Sequence, residues 1–228
     1  MNEEMTILGN DEDFDVIVDG DVGIAKRALM SRKAKKRFPT KPAIALGNQA
    51  TSSDEVMRRL DDLPTDIVAA LADRRKALVD SRYYWNKAAN AVASVAMISN
   101  ADSKGHGTGN VAFAKLDKDN WFLMTGIILL SGVSADVKAA AYGKIALAIA
   151  NGDFEFRING GKHVLPKDIS CNIFDSARTD IPLGYYKLES PKWVRPESEM
   201  FFDIQMSQAT AANTAIHLEL LGISVVTF

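Results

Sequence analysis

Asp11, Asp13 and Asp15 have the spacing with which a calcium-binding loop opens. The same loop needs a glycine at its sharp turn and a bidentate carboxylate at its close, and Val16 and Val22 stand at those places. The three aspartates are therefore read as part of an acidic block. Gly105, Gly107 and Gly109, with His106 and Thr108 between them, offer the permissive backbone that phosphate-binding turns use. They lack the third-glycine spacing of a dinucleotide turn and the Lys-Ser/Thr pair of a phosphate loop, which leaves a surface loop. His106, His163 and His217 lie far apart, and none has a second His or Cys at metal-ligand spacing. No serine sits in a Gly-x-Ser-x-Gly elbow. The paired acids Asp61-Asp62 and Glu197/Glu199 flank prolines, where solvated turn residues are the ordinary finding. The expectation is a non-enzymatic chain with no catalytic residue, no metal, no cofactor and no small-molecule substrate.

Aromatic residues offer a different chemistry. Tyr83, Tyr84 and Trp85, and Tyr185 with Tyr186, are rings of the kind that stack on sugars or bases, and an exposed ring contributes roughly 1–3 kcal/mol per stacked base. On a strand, adjacent residues face opposite sides, so only every second ring can share a surface. Packing in the core or at a subunit interface is the expected use.

The charges are segregated. Residues 1–21 hold eight acids, Glu3, Glu4, Asp11, Glu12, Asp13, Asp15, Asp19 and Asp21, and no base. Residues 22–53 hold eight bases, Lys26, Arg27, Arg32, Lys33, Lys35, Lys36, Arg37 and Lys41, and no acid. Like-charge blocks without a regular apolar face remain solvated arms that find partners. Three partners fit the bases: the acidic block Asp11, Glu12, Asp13 and Asp15 of the same or a neighbouring subunit, nucleic acid phosphates, or an anionic membrane surface. The first requires nothing beyond this chain.

The elements that must carry these residues fall into three zones. The 228 residues, 47% hydrophobic and 25% charged, suffice for one good core. The single cysteine, Cys171, excludes an internal disulfide, and Glu3 and Glu4 stand where a signal peptide needs a positive start, so synthesis in a reducing cytoplasm is expected. Residues 1–51 read as the arm, with one apolar patch at Phe14, Val16, Ile17 and Val18. Residues 52–80 read as a helical connector: Ile67, Leu71 and Leu78 recur at spacings of four and seven, which predicts a helix over 65–78. Residues 81–228 read as strands. Trp121 to Leu130 is a buried apolar run, and Phe154, Phe156 and Ile158 alternate with Glu155 and Arg157. Met200, Phe202, Ile204 and Met206 alternate likewise, as do Ile216, Leu218 and Leu220, with Gly222 as a bulge. Asn151-Gly152 and Asn159-Gly160 favour tight hairpin turns, so 144–150, 153–158 and 162–165 are expected to form a three-stranded meander. An Ala-rich helix over 134–150 competes with its first strand. Short strands at close intervals predict a mainly β chain, an antiparallel β-sandwich.

The strand WFLMTGIILLSG, the Asn-Gly segment IANGDFEFRINGGKHVLP, and the pair YYKLESPKWVRPESEMFFDI and AIHLELLGISVV together resemble the jelly-roll structural proteins of bacterial viruses, over about residues 121–228. The resemblance implies a capsid-type virion protein made in the host cytoplasm. Its sandwich would form a symmetric homo-oligomer and contact other virion proteins, with the charged arm reaching beneath its neighbours. Two other functions remain open at this stage: a carbohydrate- or receptor-binding module using exposed aromatics, and a hydrolase on a β-sandwich scaffold.

Overall fold

A computed structural model describes residues 52–158, 161–175 and 181–227. They divide between two compact units, residues 57–76 in one and the described residues of 52–56 and 77–227 in the other. Helix α1 (Ser52–Arg58) is followed by a 3-10 turn at Leu60–Asp62 and by helix α2 (Thr65–Ala72). Pro64 caps α2, a place where its missing N–H costs nothing. Ile67, Val68 and Leu71 of α2 are buried. The helix expected over 65–78 stops at Ala72 because Arg74 takes a left-handed φ of 62°. There Arg74 N–H donates to Leu71 O (3.3 Å) and Arg75 N–H to Ala70 O (2.9 Å), a Schellman closure made without glycine. A strand begins at once, at Lys76, inside the stretch expected to be connector.

Among the described residues nine strands follow: β1 (Lys76–Ala88), β2 (Ser94–Ile98), β3 (Trp121–Val133), β4 (Asp153–Ile158), β5 (Lys162–His163), β6 (Ile169–Ser170), β7 (Tyr185–Val194), β8 (Met200–Gln205) and β9 (Thr214–Thr227). One sheet has the order β1-β9-β3-β7, and the other has β2-β8-β4-β5 with β6 also on β4. The pairing is nested: first strand beside last, second beside penultimate, third beside β7, fourth beside the short β5 and β6. That is the wiring of a jelly roll, one long hairpin rolled into two packed antiparallel sheets. The mainly β sandwich read from the sequence is the observed fold.

The alternating patterns explain the layers. Phe154, Phe156 and Ile158 of β4 point inward with Met200, Phe202 and Ile204 of β8, while Glu155, Arg157 and Asp203 lie outside. Phe154 and Phe202 stack at 5.0 Å with an 8° interplanar angle, and Phe156 and Phe174 flank them at 5.3 Å. Such ring pairs add about 0.5–1.5 kcal/mol each beyond their burial. From the other sheet Phe122, Met124, Ile127 and Leu129 of β3 and Ile216, Leu218 and Leu220 of β9 close the core. β3 and β9 fall out of register between Met124 and Gly126, which leaves Thr125 as the extra residue. The bulge expected at Gly222 thus lies opposite it, and Gly222 is needed because a Cβ there would collide with the Leu123 carbonyl. Pro191 lies within β7, which tolerates it as an edge strand.

The expected strand over 144–150 is corrected. The structure has a one-turn helix, α3 (Leu147–Ala150), in its place, and the longer Ala-rich helix over 134–150 is not formed either. Ile149 of this turn is buried, as is Ile145 just ahead of it, while Leu147 is left outside at 71% exposure. Asn151 ends that turn, its N–H bonded to Leu147 O at 3.0 Å. Gly152 then passes so close to β8 that a Cβ would strike the Gln205 carbonyl. β4 and β5 do pair as a hairpin, with Ile158 opposite Lys162 and Gly161 at a φ of 122° between them. Asn159 and Gly160 lie outside the described residues.

Candidate functional site

The basic residues Lys26, Arg27, Arg32, Lys33, Lys35, Lys36, Arg37 and Lys41 and the acids Asp11, Glu12, Asp13 and Asp15 lie outside the described residues. The aromatic residues do not. Trp85 is 1% exposed in the core, and Tyr83 meets Phe122 edge-on at 4.8 Å, with Asn120 Nδ2 donating to its hydroxyl at 2.6 Å. Tyr186 packs against the core beside Phe174. Strand alternation sends Tyr84 and Tyr185 to the opposite, outer face of the first sheet.

That outer face holds an open groove of about 740 Å³. Its floor is Ile128 and Thr125 of β3 with Leu221 and Gly222 of β9, and its walls are Asp80, Ser81 and Arg82 of β1 against Pro182 and Tyr185. Gly126 lets the Tyr185 ring lie flat against the sheet, since a Cβ would strike Cε2 of that ring, and burial pushes the Tyr185 phenol above its ordinary pKa.

A polar row continues from the groove along β1 and β9. Arg82 NH1 meets Glu219 Oε1 at 3.4 Å, His217 Nε2 lies 3.7 Å from Glu219 Oε2, and His217 Nδ1 is 2.6 Å from Asn86 Oδ1. Tyr142 covers His217 at 5.1 Å, and Tyr84 stacks on it at 6.2 Å. The adjacent His217 ring, helped by the Arg82 charge, holds the Glu219 carboxyl below its usual range against the opposing effect of burial. Sequence reading missed this row, because Arg82, Asn86, His217 and Glu219 become neighbours only when the first and last strands pair. Among the described residues, no three His, Cys, Asp or Glu side chains gather as a metal site. His163 instead sits 3.5 Å from Glu155 on the other sheet. Cys171 is buried, and burial with the nearby Asp153 pushes its thiol up to about 12.

A third surface lies at one end of the sandwich, where the β1–β2, β3–β4 and β8–β9 connections meet. Thr210 is the pin: its N–H donates to Val92 O at 3.0 Å and its buried hydroxyl bonds Ala89 O. Met206 N–H donates to Ala93 O (2.8 Å), and Ser207 N–H to Ala148 O (3.2 Å). The three segments are thereby one platform. Residues 89–93, 145–152 and 206–213 contain no Asp, Glu, Lys or Arg, and exposed Lys144, Asp153, Asp136 and Lys138 border them. Exposed on it are Asn90, Ala91, Val92, Leu147, Asn151, Gln208, Ala209, Ala212 and Asn213.

The opposite end is built differently. There the ion pairs Lys104–Asp117 (2.8 Å) and Lys115–Glu199 (3.0 Å) tie the 99–120 loop to itself and to 195–199. Lys87, at the end of β1 that leads into 89–93, pairs with Asp102 (2.5 Å) at the start of the longest of these loops. In comparison with known proteins, no family model and no curated protein matches this chain.

Proposed function

We propose that the chain is a structural subunit of a virion, a capsid-type protein that self-assembles through its β-sandwich and its N-terminal arm and performs no catalysis. The observation that carries this reading is the nested strand order, β1-β9-β3-β7 over β2-β8-β4-β5, preceded by an arm whose acids and bases are complementary blocks. Jelly rolls of this wiring serve as shell-building units, though the fold also serves lectins and cupins, so the arm contributes as much as the fold. Arm bases meeting a neighbour's arm acids would tie copies together with salt-sensitive strength. The test is electron microscopy of the purified full-length protein with light scattering across a salt series. Closed particles or regular oligomers that loosen with salt support the reading; a monomer at every concentration and ionic strength overturns it.

The groove on the outer face of the first sheet favours a second reading, a carbohydrate- or receptor-binding module. Tyr185 offers a ring, and Asp80, Ser81 and Arg82 offer polar groups beside an apolar floor. Glycan-array binding that disappears in Tyr185→Ala and Arg82→Ala would select this reading over the first.

A further inference from the structure

We propose that His217 is a proton-operated clasp: its charged ring holds the glycine loop 105–109 and the segment 134–143 against the outer face of the first sheet, and its neutral ring lets them loosen.

The position of one ring proton follows from what each neighbour can donate. The carbonyl of Gly107 can only accept, so the Asn86 atom facing it at 2.9 Å is the amide nitrogen, Nδ2. The other end of that amide, Oδ1, also only accepts, and it lies 2.6 Å from His217 Nδ1. Nδ1 therefore carries a hydrogen in either charge state, and the proton that comes and goes is the one on Nε2. Nε2 faces Glu219 Oε2 at 3.7 Å, with the two side chains only 17% and 14% exposed. A neutral ring turns a lone pair toward that carboxylate, and a charged ring turns an N–H toward it. Mostly shielded from water, the contact changes from repulsion to attraction with one proton.

The other groups around the ring come from each element packed on it. On β1, Arg82 opposes a positive ring, but it is 71% exposed and lies 3.4 Å from the other carboxylate oxygen, Glu219 Oε1; Tyr84 stacks at 6.2 Å. β3 places the uncharged Leu130 opposite His217. The segment 134–143 brings Tyr142, at 5.1 Å, whose phenol is raised by burial and by Asp136 and so stays neutral. The glycine loop carries His106 beside Gly107.

Both loops are tied to this ring. Asn86 holds the glycine loop twice, its side chain at Gly107 and its backbone N–H donating to Thr108 O at 2.7 Å. The segment 134–143 is held by the Tyr142 ring over His217, by the Tyr142 hydroxyl donating to Val137 O (2.7 Å), and by Gly143 N–H donating to Ser131 O (2.8 Å). The two segments meet where the Lys138 stem packs on Gly107, which has a φ of 77° and would bring a Cβ to 3.1 Å from Lys138 Cγ. Glu219 is held below its usual range, so it is ionised where histidine ordinarily gains its proton, roughly pH 6.5. The clasp is tight below that pH and above the point at which Glu219 itself is protonated.

The experiment follows hydrogen exchange of the full-length protein by mass spectrometry at about pH 5.5 and about pH 8, on either side of the ordinary histidine range, with each rate corrected for the intrinsic pH dependence of exchange. Peptides covering 105–109 and 134–143 should open at least about threefold less often at the lower pH, the size of one partly shielded ion pair, while β4 and β8 do not change. His217→Asn keeps a donor toward Asn86 but has nothing to protonate, and Glu219→Gln keeps the shape and removes the charge; each should abolish the pH dependence. Nitrogen-15 NMR of the wild-type histidines, with His217 identified by its contact with Tyr142, should show Nδ1 protonated and Nε2 bare at the higher pH. If His217→Asn fails to fold, Glu219→Gln and the wild-type spectrum decide. A neutral ring protonated on Nε2, wild-type opening that is unaffected by pH or greater in acid, or a pH dependence that survives in either folded variant overturns the proposal.

Discussion

The two ends of the sandwich are closed by different forces. At one, backbone carbonyls take N–H and hydroxyl donors from neighbouring loops, and no charge is present within the three segments. At the other, lysines and carboxylates pair across longer loops, several of them largely exposed. Neutral hydrogen bonds between backbone groups persist with or without a covering partner. Exposed ion pairs add little strength but keep a surface hydrated and selective. The comparison sets an end held by neutral bonds against an end held by charges, and it can be broken at either.

The largest expected effect comes from Gly152→Val. The added Cβ would meet the Gln205 carbonyl and, at 2.8 Å, Met206 Cα, both backbone atoms that cannot swing away. Overpacking of this kind costs typically 1–3 kcal/mol and more when backbone must move, so a loss of about 3 kcal/mol is expected. Urea denaturation would measure it. A change below about 1 kcal/mol would mean that the platform is loosely held and that its geometry carries no argument.

Asp102→Ala should be next, where the 99–120 loop is anchored to the last residues of β1. Its carboxylate takes Ser99 N–H and Ser99 Oγ–H, each at 2.9 Å, and Lys87 Nζ at 2.5 Å, with its side chain 9% exposed and that of Lys87 24%. Removing it strands donors that are mostly shielded from water, and about 2 kcal/mol is expected. Here an ion pair behaves like a core contact, and the loss should be similar at low and high salt because shielded pairs are screened weakly.

Much of this contrast was hidden in the sequence, for physical reasons. The strands were legible where period-two alternation marked one buried face: Phe154, Phe156 and Ile158 identify β4, and Met200, Phe202 and Ile204 identify β8. Ile145, Leu147 and Ile149 show the same alternation and form no strand. Alanine fits either face of either element, so the pattern could not tell a strand from a helical turn. The end of α2 was missed because Arg74 fills a left-handed position usually marked by glycine. The platform could be found only after folding, since its segments are far apart in sequence and each alone reads as an ordinary small-residue loop.

Between the two ends, Glu219 offers a graded test. Its folded-state pKa is depressed by His217 and Arg82, so the unfolded chain binds the proton more readily. The resulting stability is present above the ordinary carboxyl value of 4.5 and is lost as pH falls through the lowered folded value. Arg82 is 71% exposed, which screens its share, and roughly 0.5 kcal/mol is expected at neutral pH. Glu219→Gln should therefore lower the melting temperature slightly at neutral pH, and the gap from wild type should close as the solution is acidified below the ordinary carboxyl value. A gap that widens there would mean that the carboxyl is favoured in its protonated form.

The smallest effect should come from Asp117→Asn. Lys104 Nζ contacts both carboxylate oxygens, at 2.8 and 3.0 Å, a geometry that would suggest strength in a buried site. Yet the two side chains are 49% and 70% exposed, so water solvates each ion whether or not the other is present. Holding two flexible side chains in one arrangement cancels most of the attraction, and a change within about 0.5 kcal/mol is expected, shrinking further in salt. Assembly size should be unaffected, because water already solvates both ions. If Asp117→Asn instead disperses the oligomer, charge complementarity at this end joins the copies.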